Sequence, residues 1–176
     1  VLGALEKAGL KLNPSKCKFA RESVVCLGHK LSREGVAPDP DNVSRIKSWK
    51  PPSNLKKLRA FLGLTGYYRQ FVRGYSETAR PLTDLTRDGV KWVWTEEHQK
   101  AFETLRDALT SDQVMAYPDF SRPFVVKTDA SLTAIGYVLT QEIDKKERVI
   151  SYGSKKLSLQ QQRWSTYDRE FFALIA

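Results

Sequence analysis

The spacing of apolar residues divides the chain into a strand-rich start, a helical middle and a second strand-rich part that ends in a helix. Near the start, residues 16–19 and 23–32 are predicted to be two strands joined by a turn at 20–22. On the longer strand, Val25, Leu27, His29 and Leu31 are expected to share one face. Gly35 is predicted to close this β-hairpin, because a positive φ is costly for other residues.

Beyond residue 38 the apolar spacing changes to that of a helix. Asp39 followed by Pro40 is a favourable helix start, with the cap first and proline in the first turn, and Pro51 prevents the helix from continuing. Ser53 or Asn54 is predicted to begin a second helix, and a third short helical run follows. The apolar residues of the three runs are Val43, Ile46 and Trp49, then Leu55, Leu58 and Leu62, then Tyr68, Phe71 and Val72.

The second half begins with a short extended segment at residues 92–94. Thr95 is then predicted to cap an amphipathic helix whose first turn carries two glutamates, which is favourable at the positive end of the helix dipole. Three strands follow at residues 124–129, 135–141 and 148–154, with a charged turn at 144–147 between the last two, and a final helix begins near Ser165. Consecutive antiparallel strands followed by a helix predict an α+β fold.

Charge indicates the kind of partner. Of the 176 residues 29 are basic and 20 acidic, a net charge of +9, which favours binding to a polyanion and above all to nucleic acid. A solvated basic surface is the alternative. Residues 41–80 hold nine basic and two acidic residues, so nine minus two, or +7, of the surplus lies in the helical middle. Such a concentrated field binds phosphates with a strong dependence on salt.

The two cysteines and the ends of the chain also carry expectations. Cys17 and Cys26 are too few for a disulfide framework and are not spaced as zinc ligands, so we expect both to be buried thiols. We accordingly expect a protein of the cytoplasm or nucleus and not a secreted one. No apolar run approaches the roughly 18 residues of a membrane span, so we expect no membrane partner. The chain begins at Val1 and stops within a helical pattern, which indicates a piece of a longer polypeptide.

Two carboxylates are the candidate catalytic residues. Asp129 ends an apolar strand, and Glu170 lies among Tyr167, Phe171 and Leu174, which are spaced as one buried helix face. A carboxylate placed toward a core is costly unless something pairs it. Each has an ordinary alternative: Asp129 as a turn-forming residue, and Glu170 reaching water or pairing with a lysine or arginine.

Together the two carboxylates are a candidate pair of magnesium ligands, because Mg²⁺ prefers oxygen donors. Two such ions about 3.5–4 Å apart can activate water and stabilise the leaving oxygen of a phosphodiester. Two carboxylates are too few to hold both ions, so at least one more acid is expected beyond Ala176.

Several motifs resemble the reverse transcriptases of gypsy-type LTR retrotransposons. Residues 58–72, LRAFLGLTGYYRQFV, are similar to the thumb of these enzymes, and residues 26–29, CLGH, to the palm hairpin that grips the primer terminus. Residues 94–102 and 128–131 resemble the passage into the RNase H domain, and residues 167–170 its first helix. These motifs cover nearly the whole chain in one collinear order.

The resemblance implies a domain order and a function. Residues 1–37 would be a palm remnant with the primer-grip hairpin, 38–90 a helical thumb, 91–118 a connecting strand and helix, and 119–176 the start of an RNase H-like domain with a mixed sheet and one helix. The chain would be a fragment of an RNA-directed DNA polymerase with RNase H activity. Its partners would be the RNA/DNA hybrid, the template–primer and the rest of the retroelement polyprotein.

The resemblance also implies residue roles. Asp129 and Glu170 would be the first and second metal-binding acids of RNase H, at a site for two Mg²⁺ ions that is incomplete in this chain. Tyr67 and Tyr68 fit either stacking on sugars or packing within the thumb. The residues implied to bind nucleic acid are Leu27, Gly28 and His29 of the primer grip, and Lys56, Lys57, Arg59 and Arg69 of the thumb.

Departures from the family pattern limit the expected activity. The polymerase needs an adjacent pair of aspartates, which this sequence lacks, and Leu132 and Ala134 stand where the family often has a polar residue and a glycine. We therefore expect the isolated chain to catalyse neither DNA synthesis nor RNA cleavage. Two alternatives stay open: a non-catalytic nucleic-acid-binding remnant of a retroelement, and a basic interaction domain with no retroelement ancestry.

Overall fold

The structure, a computed structural model, describes residues 1–111 and 113–176. A small N-terminal sheet leads into a helical block, and a second sheet carries the last helix, which confirms the predicted α+β class. The helices are α1 Leu2–Lys7, α2 Pro40–Lys47, α3 Leu55–Tyr67, α4 Tyr75–Thr78, α5 Arg80–Asp84, α6 Glu96–Thr110 and α7 Thr166–Ile175. The strands are β1 Ser23–Cys26, β2 His29–Ser32, β3 Gly35–Pro38, β4 Val125–Ala130, β5 Ala134–Ile143 and β6 Lys146–Lys156.

The N-terminal sheet differs from the predicted hairpin. Residues 17–19 lie outside the strands, and Pro14–Lys16 form a short 3-10 turn. The single strand predicted over residues 23–32 is divided into β1 and β2, because Leu27 and Gly28 both have positive φ angles, 48° and 72°, and reverse the chain. The common face predicted for alternate residues across this segment therefore does not exist. The positive φ predicted for Gly35 is confirmed, at 141°.

The predicted helix starts are confirmed. The Asp39 side chain accepts a hydrogen bond from the Asp41 N–H at 3.0 Å, and Asn54, rather than Ser53, caps α3 by accepting from the Lys57 N–H at 3.0 Å. Thr95 and His98 cap α6 reciprocally. The third helical run is only a 3-10 turn, Arg69–Phe71.

The main core lies between α2, α3 and α6. Leu58, Phe61 and Phe102 are completely buried, and the rings of Phe61 and Phe102 lie 4.6 Å apart. Each large apolar side chain buried in this way stabilises the fold by about 1.5–3 kcal/mol. Trp92 and Trp94 pack against the same core, but residues 91–95 are not assigned to a strand, so the predicted connecting strand is wrong.

The second sheet has the strand order β4-β5-β6, and both pairings are antiparallel. Among the residues that the structure describes it is therefore not the mixed sheet that was expected. Its strands fall where they were predicted, apart from shifted ends. Asp144 and Lys145 form the turn between β5 and β6 with φ angles of 53° and 59°, and a bulge lies between Leu139 and Thr140.

Helix α7 packs on β4 and β5, but with a different face from the one predicted. Tyr167, Phe171 and Leu174 are 79%, 55% and 66% exposed, whereas Arg169 and Ala173 are buried. The physical reason is close packing: the small Ala173 lies against the apolar residues of the sheet, and the larger side chains point outward.

Two further expectations concern the thiols and membranes. Cys26 is exposed and Cys17 half-buried, so the prediction of two buried thiols is wrong. The reason is that β1, which carries Cys26, is covered little by the rest of the chain. Among the described residues no helix is both long and apolar enough to cross a bilayer.

Candidate nucleic-acid interface and acidic pair

The Leu27–Gly28 turn is held on the helical block by its two carbonyl groups. The Tyr68 hydroxyl donates to the Gly28 carbonyl at 2.6 Å, and the Asp39 N–H donates to the same oxygen at 3.0 Å. The Tyr67 hydroxyl donates to the Leu27 carbonyl. The turn at the end of β1 is therefore fixed to the C-terminal end of α3, about forty residues further along the chain.

His29 completes this attachment. Its Nδ1–H donates to the Leu27 carbonyl at 3.0 Å, which leaves Nε2 to accept from the Gln70 amide at 3.3 Å. The imidazole lies among aromatic rings, with centroids 5.3 Å from Tyr67 and 5.7 Å from Tyr68. Burial raises the pKa of the Tyr68 hydroxyl, so this group remains a hydrogen-bond donor at neutral pH. Tyr68 thus packs within the protein, whereas Tyr67 keeps half of its surface exposed, at 51%.

The basic residues at the start of α3 face solvent. Lys56, Lys57 and Arg59 are all exposed. Lys57 Nζ lies 3.0 Å from the Ser53 hydroxyl, and Arg59 donates to the Thr86 carbonyl at 3.3 Å. None of the three forms an ion pair with another residue that the structure describes. Their positive charges are therefore uncompensated within the described parts of the chain.

Arg69 differs from these three residues because its guanidinium is engaged within the protein. It donates to the Ser154 carbonyl and, at 3.4 Å, to the Ser76 hydroxyl, and it lies 5.8 Å from the centre of the Tyr75 ring. Arg69, which the family resemblance implies to contact the template–primer, therefore joins the helical block to β6 in this structure.

This junction was missed by the sequence analysis. The Ser76 N–H donates to the Ser154 hydroxyl at 2.9 Å, and Lys156 Nζ lies 2.5 Å from the Asp84 carboxylate. Serine and lysine at these positions carry no signal in a single sequence, because the partners are more than seventy residues apart. The contacts bring the second sheet against α4 and α5.

Asp129 lies on β4, opposite Gly136 of β5. Its side chain is exposed and lines a cleft of about 380 Å³ between the sheet and α4, together with Lys127 and Glu77. Its neighbour Ala130 packs with α7 on the other face of the sheet, as expected for alternating strand residues.

Glu170 is half-buried on α7, and this helix packs against β4, the strand that carries Asp129. Among the described residues, however, Glu170 does not line the Asp129 cleft, and neither carboxylate forms an ion pair. The lysine or arginine partner considered for Glu170 is thus not found in the described parts.

The donor chemistry of Asp129 and Glu170 fits Mg²⁺, because both groups are carboxylates. The described residues nevertheless contain no cluster of three His, Cys, Asp or Glu residues that could hold a metal ion. A two-metal site would therefore need additional ligands, so the roles of Asp129 and Glu170 stay predictions.

Comparison with known proteins identifies the region. Residues 94–176 match the family model for the RNase H-like domain found in reverse transcriptase. The chain is 37% identical to the Transposon Tf2-3 and Tf2-4 polyproteins of Schizosaccharomyces pombe (strain 972 / ATCC 24843), over 99% of its own length and 13% of theirs. It thus spans about one eighth of the curated relatives that it matches.

Solved structures show the same relationship. The foamy viral protease-reverse transcriptase dRH in complex with double-stranded DNA is 25% identical and has a TM-score of 0.82, with 98% of this chain and 30% of that chain covered. The foamy viral protease-reverse transcriptase in complex with an RNA/DNA hybrid is also 25% identical, with a TM-score of 0.79 and coverage of 92% of this chain and 22% of that chain.

The fold and these similarities define the class of protein. The chain is a reverse transcriptase and RNase H region of the retrotransposon type, and the resemblance stated from the sequence is confirmed. Residues 94–176 carry its RNase H-like part.

Proposed function

We propose that this region binds the template–primer and the RNA/DNA hybrid of a reverse transcriptase through the start of α3 and the Leu27–Gly28 turn. The observation that carries the proposal is the exposed positive charge of Lys56, Lys57 and Arg59 on one helix, which forms no ion pair with residues 1–111 or 113–176. Uncompensated cations on a rigid element neutralise phosphates and release counterions, which is the main source of affinity for nucleic acid. The viral structures in complex with double-stranded DNA and RNA/DNA hybrid support the same partner class.

The parent polyprotein would be an RNA-directed DNA polymerase that also degrades the RNA strand. Asp129 and Glu170 would then be its first two RNase H acids. Bound Mg²⁺ would supply the activation of water and the stabilisation of the leaving oxygen. The part played by this chain would be to hold the hybrid and to contribute two carboxylates. We expect the isolated chain itself to be inactive, and magnesium-dependent degradation of a hybrid by the purified chain would contradict this.

A non-catalytic remnant that binds nucleic acid is the second candidate. Its support is the exposed positive charge of Lys56, Lys57 and Arg59, because binding to phosphates needs no catalytic residue. The open reading frame that surrounds this chain would separate the two candidates. The enzyme requires an aspartate pair upstream and further RNase H acids downstream, and the remnant requires neither.

Binding to an RNA/DNA hybrid across a salt titration tests the shared part of both candidates. The triple variant Lys56→Gln, Lys57→Gln, Arg59→Gln should lower both the affinity and the salt slope, because each lost phosphate contact reduces the slope by about 0.7–0.9. The control variant Lys145→Gln, Lys146→Gln, Arg148→Gln removes the same charge from exposed residues in the turn before β6 and at the start of that strand. If the two variants lose equal affinity for the hybrid, the start of α3 is not a specific binding surface.

A further inference from the structure

The cleft beside Asp129 contains charges of both signs. Glu77, Asp129 and Glu147 supply carboxylates, and Arg73 and Lys127 supply cations. Within residues 1–111 and 113–176, the pair formed by Lys127 and Glu147 is the one ion pair between these five residues. Asp129 thus keeps its carboxylate without a cationic partner in the described parts of the chain, although two cations line the same cleft.

Lys127 is close enough along the strand to neutralise Asp129. The two residues are two positions apart on β4, so their side chains leave the same face of the sheet. At a rise of about 3.3 Å per residue their Cα atoms lie roughly 7 Å apart, a distance that a long, flexible lysine side chain can span. The strand geometry alone therefore allows an ion pair between Lys127 and Asp129.

Glu147 holds the lysine in the opposite direction. Lys127 Nζ lies 2.6 Å from Glu147 Oε1 and 2.7 Å from Oε2, and this hydrogen bonding lowers the pKa of the Glu147 carboxyl, which is therefore ionised at neutral pH. Asp129 lies opposite Gly136 of β5, which lies opposite Ser154 of β6. Glu147 is seven positions before Ser154 (154 − 147), at the other end of β6 beside the turn. The ion pair therefore draws the ammonium toward that turn and away from Asp129.

We infer that Glu147 is a positioning residue that holds the Lys127 ammonium away from Asp129 and so leaves the Asp129 carboxylate free to bind a divalent cation. The inference rests on the proposed role of Asp129 as a metal-binding acid. The Lys127 and Glu147 side chains are 55% and 52% exposed, and ion pairs this exposed are weak. When Glu147 is lost, the ammonium therefore pairs with Asp129, the neighbouring carboxylate on the same strand face. An ammonium held there competes with a divalent cation for the carboxylate oxygens and repels it.

The rate at which an N-hydroxysuccinimide acetate acylates Lys127, followed by mass spectrometry without metal, tests the change of partner. A paired ammonium loses its proton less readily and reacts more slowly. Glu147→Gln should react at nearly the wild-type rate, because Asp129 replaces the lost partner, and Glu147→Gln with Asp129→Asn should react about two- to fivefold faster. Glu142→Gln with Asp129→Asn is the matched control: it removes an exposed carboxylate opposite Glu147 and should react at the wild-type rate. If Glu147→Gln alone reacts as fast as its double variant, with circular dichroism showing an intact fold, the inference is wrong.

Titration with Mn²⁺ tests the consequence for the cation, through paramagnetic broadening of the backbone amide NMR signals of residues 128–131. Glu147→Gln should weaken the apparent affinity for Mn²⁺ about two- to fivefold, and adding Lys127→Met to it should restore the wild-type affinity. Glu142→Gln removes the same charge and should bind Mn²⁺ like the wild type. Wild-type affinity in Glu147→Gln, or no recovery on adding Lys127→Met, would overturn the inference.

The same titration separates the inference from the proposed function. A wild-type chain in which Mn²⁺ broadens none of these signals would contradict the metal-binding role of Asp129. The acylation rates would then still decide whether Glu147 holds Lys127 away from Asp129.

Discussion

The guanidinium of Arg69 donates to the backbone carbonyl of Ser154, which lies on a strand of the second sheet. The Ser154 hydroxyl accepts from the Ser76 N–H at 2.9 Å, so this one serine contacts the helical block through both its backbone and its side chain. The helical block and the RNase H-like sheet are therefore joined by specific polar contacts.

Replacing Arg69 should lower stability more than replacing a neighbouring basic residue. We expect Arg69→Met to reduce the free energy of unfolding by about 1–2 kcal/mol, because hydrogen bonds from a charged group are stronger than neutral ones. Lys56→Met is the control: this exposed residue should change stability little, and its replacement should weaken hybrid binding. Urea denaturation measures the first effect and fluorescence anisotropy the second. If Arg69→Met leaves the stability unchanged but weakens hybrid binding, Arg69 contacts the nucleic acid directly and does not hold the fold together.

Gln141 should be sensitive to loss of its amide. It is completely buried, and its side chain accepts from the Asp119 N–H at 2.8 Å and donates to the carbonyls of Asp119 and Arg122. We expect Gln141→Leu to cost about 2–4 kcal/mol, because it leaves buried backbone groups without partners. Gln160→Leu, at an exposed position, should be nearly neutral in the same thermal or urea denaturation. Similar midpoints for the two variants would show that the amide is not needed.

Gly63 offers a stabilising substitution. It lies inside α3, and nothing lies within 4 Å of the position that a Cβ would occupy. Gly63→Ala should therefore raise the free energy of unfolding by about 0.5–1 kcal/mol, because alanine loses less backbone entropy in a helix. Gly28→Ala, at a position with a φ of 72°, should lower it under the same conditions. If Gly63→Ala is neutral or destabilising, the space beside Gly63 on α3 is not as open as in this structure.

Acid should weaken the loop around Asp119. Hydrogen bonds from Ser121, followed by the Arg122 guanidinium, lower the pKa of the Asp119 carboxyl from its ordinary value. A carboxyl with a lower pKa in the folded state stabilises the fold above its unfolded pKa, near pH 4, and this stabilisation is lost as the pH falls further. Asp119→Asn should therefore reduce the loss of stability between about pH 4 and pH 2, measured by urea denaturation across that range. Identical pH profiles for wild type and Asp119→Asn would contradict the assignment.

Local signals predicted much of the fold. The sequence predicts Asp39 and Thr95 as helix caps, and Ser53 or Asn54 as a third, because the chemistry of a cap depends on a few adjacent residues. The strands β4 to β6 followed from apolar runs and a charged turn, which are equally local. The basic segment that contains Lys56 and Lys57, and the motifs shared with reverse transcriptases, were likewise visible without coordinates.

Only the tertiary structure showed the features that depend on contacts between residues far apart in the sequence. The Leu27–Gly28 turn lies inside a segment that alternates like a strand, and the tyrosines that hold it come forty residues later. The face of α7 was misassigned because the stripe of Tyr167, Phe171 and Leu174 is as regular as the face that packs on the sheet. Nothing in the local sequence distinguishes Arg69 from the other basic residues of the helical block, because its carbonyl acceptor lies on the distant strand β6. Periodicity and capping are short-range properties of the chain, whereas the partner that a side chain meets depends on how separate elements pack.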